Sequence, residues 1–250
     1  MNNQSSSQYI QATVVNHNTS KYTELMLRSL FTRHPSDLDL SITVLDNNSQ
    51  DSMRELEAYT REKGIPIRPS GYELKTKWNS HGEILRKFVL EHPDCNYYLF
   101  LDTDVCFLQE DTLPVMVQEL EQAPTAFGIA PRISSNGESE IEEKYWEVIY
   151  KSRLHPCCAL VRNTPVFRRV TEELGLSCVQ YLWAAGEEYL DTFKLMTMVM
   201  STHGLSHILS AKMILHFFSV SYDWEPPHVM AYKAELRDRL LEEYRKLQVF

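Results

Sequence analysis

The chain has 250 residues, 43% of them hydrophobic, which suits one α/β domain with a C-terminal appendage and excludes two full domains. Its formal net charge of -9, despite 25 Lys and Arg, gives a surface that repels phosphate backbones and makes nucleic acid a poor partner. The five cysteines are odd in number, include the adjacent Cys157 and Cys158, and show neither a disulfide framework nor a CxxC metal pattern, so they read as reduced, buried thiols.

Residues 1–9 read as a flexible N-terminus opening on the polar MNNQSSSQ, without the basic and apolar regions of a signal peptide. No apolar run approaches the ~20 residues of a membrane span. The expectation is a soluble cytoplasmic protein, with peripheral membrane contact left open.

YIQATVV predicts a strand, and SKYTELMLRSLFTRH a helix with Tyr22, Leu25, Met26 and Leu30 on one face. The βα unit repeats in LSITVLD and SMRELEAYTREKG, where Ser52 and Glu55 have capping-box spacing and Gly64 supplies the stop. A short strand follows in IPIRP, then a helix in NSHGEILRKFVLEH, with capping-box spacing again at Ser80 and Glu83. This helix leads into NYYLFLDTDVCFL, whose apolar run is interrupted by Asp102 and Asp104.

Alternating strands and helices predict a mainly parallel sheet with ligands beyond the carboxyl ends of its strands, where Asn16, Asp46 and Asp102 fall. Further along, TLPVMVQELEQ predicts a helix, AFGIAPR and CALVR strands, EEYLDTFKLMTMVMSTHG a helix and KMILHFF a late strand. The tail HVMAYKAELRDRLLEEYRKLQVF predicts a charged amphipathic helix that packs on the domain or on a partner, a homodimer being one outcome.

On a strand, Asp102 and Asp104 share one face and can reach one hard cation. Two such carboxylates repel unless a counter-charge lies beside them, and Mg2+ or Mn2+ accepts oxygen ligands of this kind. Solvated strand-end charges are the plainer explanation. LDTDV also fits the DxDxV pattern of haloacid-dehalogenase-type phosphatases, although there the motif ends the first core strand and here Asp46 and two βα units precede it. Asp46 can accept from a nucleobase imide or from ribose hydroxyls, or DNNSQDS can form an Asx turn without a ligand. VVNHNTSKY contains no glycine, so neither a P-loop nor a GxGxxG loop is present.

In order, ATVVNHNTS, VLDNNSQD, LFLDTDV, GEEYLDT and LHFFSVSYDW resemble glycosyltransferase family 2. The resemblance spans residues 10–224, with 225–250 as the C-terminal helix, and implies a GT-A, Rossmann-like α/β fold. It also implies a metal-dependent transfer from a nucleotide diphosphate sugar, UDP-sugars favoured, to a hydroxyl acceptor with inversion, assisted by Mn2+ or Mg2+. Asp46 would contact base or ribose, Asn16 and Asn18 would line the base pocket, and Lys77, Asn79 and His81 would lie near the donor sugar. Asp104 would bind the metal with Asp102 and His216, although His216 alone reads as an ordinary buried histidine.

Asp191 is the favoured base, with Glu187 and Glu188 as alternatives on the same predicted helical face, where solvated first-turn acids would look alike. Arg153, His155 and Trp224 are acceptor-side candidates, and the loop SVSYDWEPP is expected to close over the donor. A phosphatase and a noncatalytic nucleotide-sugar-binding protein are the rival readings.

Overall fold

Eight strands form one sheet in the order β3-β2-β1-β4-β7-β6-β10-β5. They are β1 (Ile10–Asn16), β2 (Leu40–Asp46), β3 (Ile67–Pro69), β4 (Tyr97–Leu101), β5 (Val105–Phe107), β6 (Ala126–Ser134), β7 (Cys158–Arg162) and β10 (Ser206–His216). The computed structural model describes residues 8–34, 38–72, 80–183, 186–221 and 224–247, apart from the side chains of residues 80 and 181–188. The pairs β2/β3, β1/β2, β1/β4 and β6/β10 are parallel, so the predicted mainly parallel sheet is present, with β7 and β5 running against it.

Period-two alternation assigns the sheet's two faces. Ile10, Ala12 and Val14 of β1, with Tyr97, Leu99 and Leu101 of β4, pack against α1 (Ser20–Arg33), α2 (Arg54–Lys63) and α4 (Thr112–Gln122). Tyr98 and Phe100 turn to the other face, under α3 (Ser80–Glu91), α5 (Pro165–Leu174) and α6 (Lys194–Thr202). The result is helix, sheet, helix, with strand ends free to carry chemistry. All five cysteines are buried, as their spacing predicts.

One helix start differs in detail from the sequence reading. α2 begins at Arg54 after Met53 with no side-chain cap, while Gly64 closes it in the left-handed region as expected. At α3, Glu83 accepts from Ser177 Oγ at 3.0 Å, and the Ser80 side chain that the capping box needs lies outside the described residues.

The larger correction concerns residues 179–203. GEEYL is strand β9 (Gly186–Leu190), paired antiparallel with β8 (Val179–Trp183), and α6 begins only at Lys194 after Phe193 adopts φ 68°. Aromatic and β-branched residues in VQYLW give GEEYL a partner strand, which outweighs its helical apolar spacing.

The tail forms α7 (Pro227–Leu247), whose Leu236, Leu241 and Tyr244 pack with Tyr22 and Leu25 of α1 and with Cys106 and Leu215. Buried Glu24 accepts from Arg28 at 2.8 Å and from both Nε and Nη2 of Arg245, at 3.0 and 2.7 Å. Tyr244 Oη donates to the Phe107 carbonyl at 2.6 Å. The apolar face of α7 is therefore engaged within its own chain, and the homodimer expected as one outcome is not supported. Among the described residues, no helix is long and apolar enough to cross a membrane.

Candidate active site

The carboxyl ends of β1 and β2 are tied together before any ligand is considered. Asn16 pairs with Asp46 in register, and its fully buried amide donates to Asp46 Oδ1 at 3.0 Å and Ser49 Oγ at 2.9 Å. The Asn16 side-chain oxygen accepts from Thr19 and Thr23 hydroxyls at 3.2 and 2.8 Å, so its amide is taken up in holding Asp46 and the start of α1. Ser49 N–H donates to Asp46 Oδ2 at 3.3 Å, which realises the turn into α2 while leaving lone pairs on both carboxylate oxygens. Asn18 is exposed at φ 56° and accepts from Gln50 N–H at 2.6 Å. Asp51, the last acid of DNNSQD, caps α1 through Ser20 N–H at 2.9 Å and Ser20 Oγ at 2.5 Å.

Asp102 and Asp104 do not share a strand face, because β4 ends at Leu101 and residues 102–104 turn into β5. They converge nonetheless. The antiparallel β5/β10 ladder sets His216 opposite Val105, and His216 Nε2 lies 3.2 Å from Asp104 Oδ1. One donor atom from each of Asp102, Asp104 and His216 lies within 4.8 Å of the others. His216 Nδ1 is buried without a partner.

Burial alone would lower the His216 pKa, but the charge of Asp104 and the hydrogen bond to it outweigh that effect and raise it. Burial raises the Asp102 pKa against the opposing charge of His81, whose Nε2 is 3.6 Å away. A deeper set, His155, Cys157 and His216, meets the same distance criterion. Burial pushes the Cys157 thiol well above its usual range, and burial together with the charge of Arg153 holds His155 well below the imidazole range. A protonated thiol is a poor ligand, so the carboxylate set is the better cation site.

Next to His81, Gly82 lets α3 approach residues 176–177 closely. A Cβ there would lie 2.2 Å from Ser177 Cα. That contact links α3 to the segment before the β8/β9 hairpin, which delivers Asp191.

Glu187 and Glu188 occupy successive strand positions opposite Leu182 and Tyr181, so the shared helical face predicted for Glu187, Glu188 and Asp191 does not form. The side chains of Glu187 and Glu188 lie outside the described residues, as do Lys77 and Asn79. Asp191 lies past β9 with a half-exposed carboxylate, 2.6 Å from Arg153 Nη2, and its Oδ1 accepts from Thr192 N–H at 2.7 Å. Arg153 is buried and also donates to the Thr192 carbonyl at 2.6 Å. His155 packs on His216 at 5.6 Å between ring centroids, and Trp224 is exposed in the loop before α7. The Arg153 to Asp191 fork has no spacing signal in the sequence, since its partners are 38 positions apart.

The sheet, the acidic turn after β4 and the histidine delivered beside it define a glycosyltransferase of the GT-A fold. The family model of glycosyl transferase family 2 matches residues 12–169, and the chain belongs to that family. The fold is shared with solved glycosyltransferases. The mannosyltransferase PcManGT from Pyrobaculum calidifontis, in complex with GDP-Man and Mn2+, has TM-score 0.60 and 14% identity over 97% of this chain and 74% of that one. TarS of S. aureus (residues 1–349) has TM-score 0.56 and 14% identity over 96% and 71%. Glucosyl-3-phosphoglycerate synthase from Mycobacterium tuberculosis, with Mn2+, UDP-glucose and glycerol 3-phosphate, has TM-score 0.52 and 10% identity over 95% and 80%. No curated protein matches the chain by sequence. Family membership displaces the phosphatase reading of LDTDV.

Proposed function

We propose that this glycosyltransferase transfers a sugar from a nucleotide diphosphate sugar, UDP-sugars favoured, to a hydroxyl-bearing acceptor with inversion at the anomeric carbon. The observation that carries the reading is the convergence of Asp102, Asp104 and His216. Two carboxylates and an imidazole suit Mn2+ or Mg2+, and a cation among them offsets the repulsion between the acids. Held there, it would neutralise charge developing on the leaving diphosphate.

Asp46, oriented by Asn16 and Ser49, accepts from the base imide or the ribose hydroxyls, with Asn18 beside it. Asp104 and His216 would hold the cation, and Asp102 would face it or the ribose. Asp191 takes the acceptor proton as the new C1 to oxygen bond forms and the bond from C1 to the phosphate oxygen breaks, its electron pair leaving with the diphosphate. Arg153 fixes the direction of that carboxylate. Cytoplasmic placement accords with this donor chemistry.

The test is incubation of the protein with UDP-glucose, UDP-N-acetylglucosamine, GDP-mannose and phosphomonoesters, with Mn2+ or with a chelator. Metal-dependent release of nucleoside diphosphate from one of the sugars is expected. Turnover of phosphomonoesters alone would refute the reading.

A further inference from the structure

A leaving diphosphate needs positive charge beyond one cation, yet the turn after β1 has no glycine-rich or basic loop to supply it. Among the described residues near the acidic cluster, Arg153 is already engaged by Asp191 and by the Thr192 carbonyl, each at 2.6 Å. We infer that Lys233 on the C-terminal helix is the diphosphate-gripping cation, stored against Glu225 until a donor binds. The inference rests on the nucleotide-sugar reading above and extends it to a C-terminal helix that the sequence presents only as a packing element.

Lys233 Nζ donates to the Phe218 carbonyl at 2.9 Å and pairs with Glu225 at 3.2 Å. An ammonium has three donors, so one remains for a phosphate oxygen. The lysine side chain is 13% exposed and Glu225 32%, which makes the carboxylate the partner that solvent can release. Phe218 follows His216 by two residues, and its ring centroid lies 4.0 Å from that of the imidazole. Phe218 and Ser219 both hold left-handed backbone, φ 54° and 51°, a costly conformation for these residues that turns the chain directly after His216 and Phe217.

The position of Lys233 is set by a rigid element. α7 is held by the Glu24 to Arg245 pair and by Tyr244 on the Phe107 carbonyl, so the lysine is carried on a docked helix and not on a free tail. Lysine acts on phosphate as a point charge, needing proximity more than a fixed fork. Exchange of Glu225 for diphosphate would release the carboxylate to solvent and add a counter-charge on the side of the cluster where His216 sits.

Calorimetric titration of UDP and UMP, each with Mn2+, into wild type, Lys233→Met, Lys233→Arg and Glu225→Gln tests the assignment. The ratio of UDP to UMP affinity should fall about tenfold in Lys233→Met, the scale of one charge-assisted hydrogen bond, and recover in Lys233→Arg. Glu225→Gln should raise that ratio, because the competing carboxylate charge is removed. A bridge that merely staples α7 would make Glu225→Gln and Lys233→Met change in the same direction, which overturns the inference, as does an unchanged ratio in Lys233→Met. Should Lys233→Met fail to fold, the sign of the Glu225→Gln effect still decides. Failure of wild type to bind either UDP or GDP would overturn the proposed function itself, whereas UDP binding indifferent to Lys233 overturns this inference alone.

Discussion

Arg153 Nη2 lies 2.6 Å from Asp191 Oδ2 while Nη1 of the same guanidinium donates to the Thr192 carbonyl at 2.6 Å. One planar fork thus fixes both the carboxylate and the backbone beside it. Arg153→Lys keeps the charge but loses the fork, and kcat is expected to fall about tenfold with donor KM unchanged, since misplacing a base costs rate more than ground-state binding. Steady-state kinetics check this; an unchanged kcat would show that Asp191 needs no such hold.

Gly82 is where α3 passes closest to the chain before the hairpin, and an added methyl would lie 2.2 Å from Ser177 Cα and 2.4 Å from its nitrogen. Backbone cannot step aside as a flexible side chain can. Gly82→Ala is expected to destabilise the fold by about 2 kcal/mol, within the usual cost of overpacking. Urea denaturation measures it, and a neutral result would mean that α3 has room to shift.

Much of this architecture was legible from period and motif order. The first three βα units follow from apolar periodicity and Gly64, because each helix there has an amphipathic face and a strand before it. EEYL reads as the start of a helix because its apolar spacing is ambiguous, and only pairing with VQYLW, a tertiary fact, makes it a strand. Asp104 and His216 are 112 positions apart in sequence, and their contact depends on the antiparallel entry of β5 beside β10, which no local pattern announces. The same limit hid Arg153 beside Asp191 and Lys233 beside Phe218.

Glu24 is 1% exposed and holds Arg28 and Arg245, joining α1 to the C-terminal helix. Removing the buried carboxylate takes away the charge that joins Arg28 of α1 to Arg245 of α7, so Glu24→Ala is expected to cost about 3 kcal/mol. The loss should appear in thermal unfolding together with faster proteolysis of residues 227–247. Equal melting of variant and wild type would contradict the clasp.

His34 is buried with its tautomer fixed, because Nδ1 faces the Leu30 carbonyl at 2.7 Å and Nε2 accepts the Leu113 N–H at 3.0 Å. Burial is the main reason that its pKa lies below 6.5, opposed by the Leu30 carbonyl, Asp111 and Glu110 and assisted by Lys212. A histidine depressed on folding binds its proton more readily when unfolded, so its contribution to stability is present above pH 6.5 and declines as pH falls toward the folded value. His155 and His207 are depressed as well and add the same sign, while His216 adds the opposite one. Denaturant midpoints between about pH 7.5 and 5.5 should therefore fall less in His34→Gln than in wild type. Identical slopes would show that His34 titrates as it does in the unfolded chain.

The central claim is that Asp104 and His216 jointly hold a divalent cation against a nucleotide diphosphate. Calorimetric titration of UDP, and of GDP in parallel, into wild type, Asp104→Ala and Asp191→Asn, each with and without Mn2+, addresses it most directly. The account predicts Mn2+-dependent binding in wild type and Asp191→Asn, and at least about tenfold weaker binding in a folded Asp104→Ala, as expected when a metal ligand is lost. Equal Mn2+-dependent affinity in wild type and folded Asp104→Ala would contradict it.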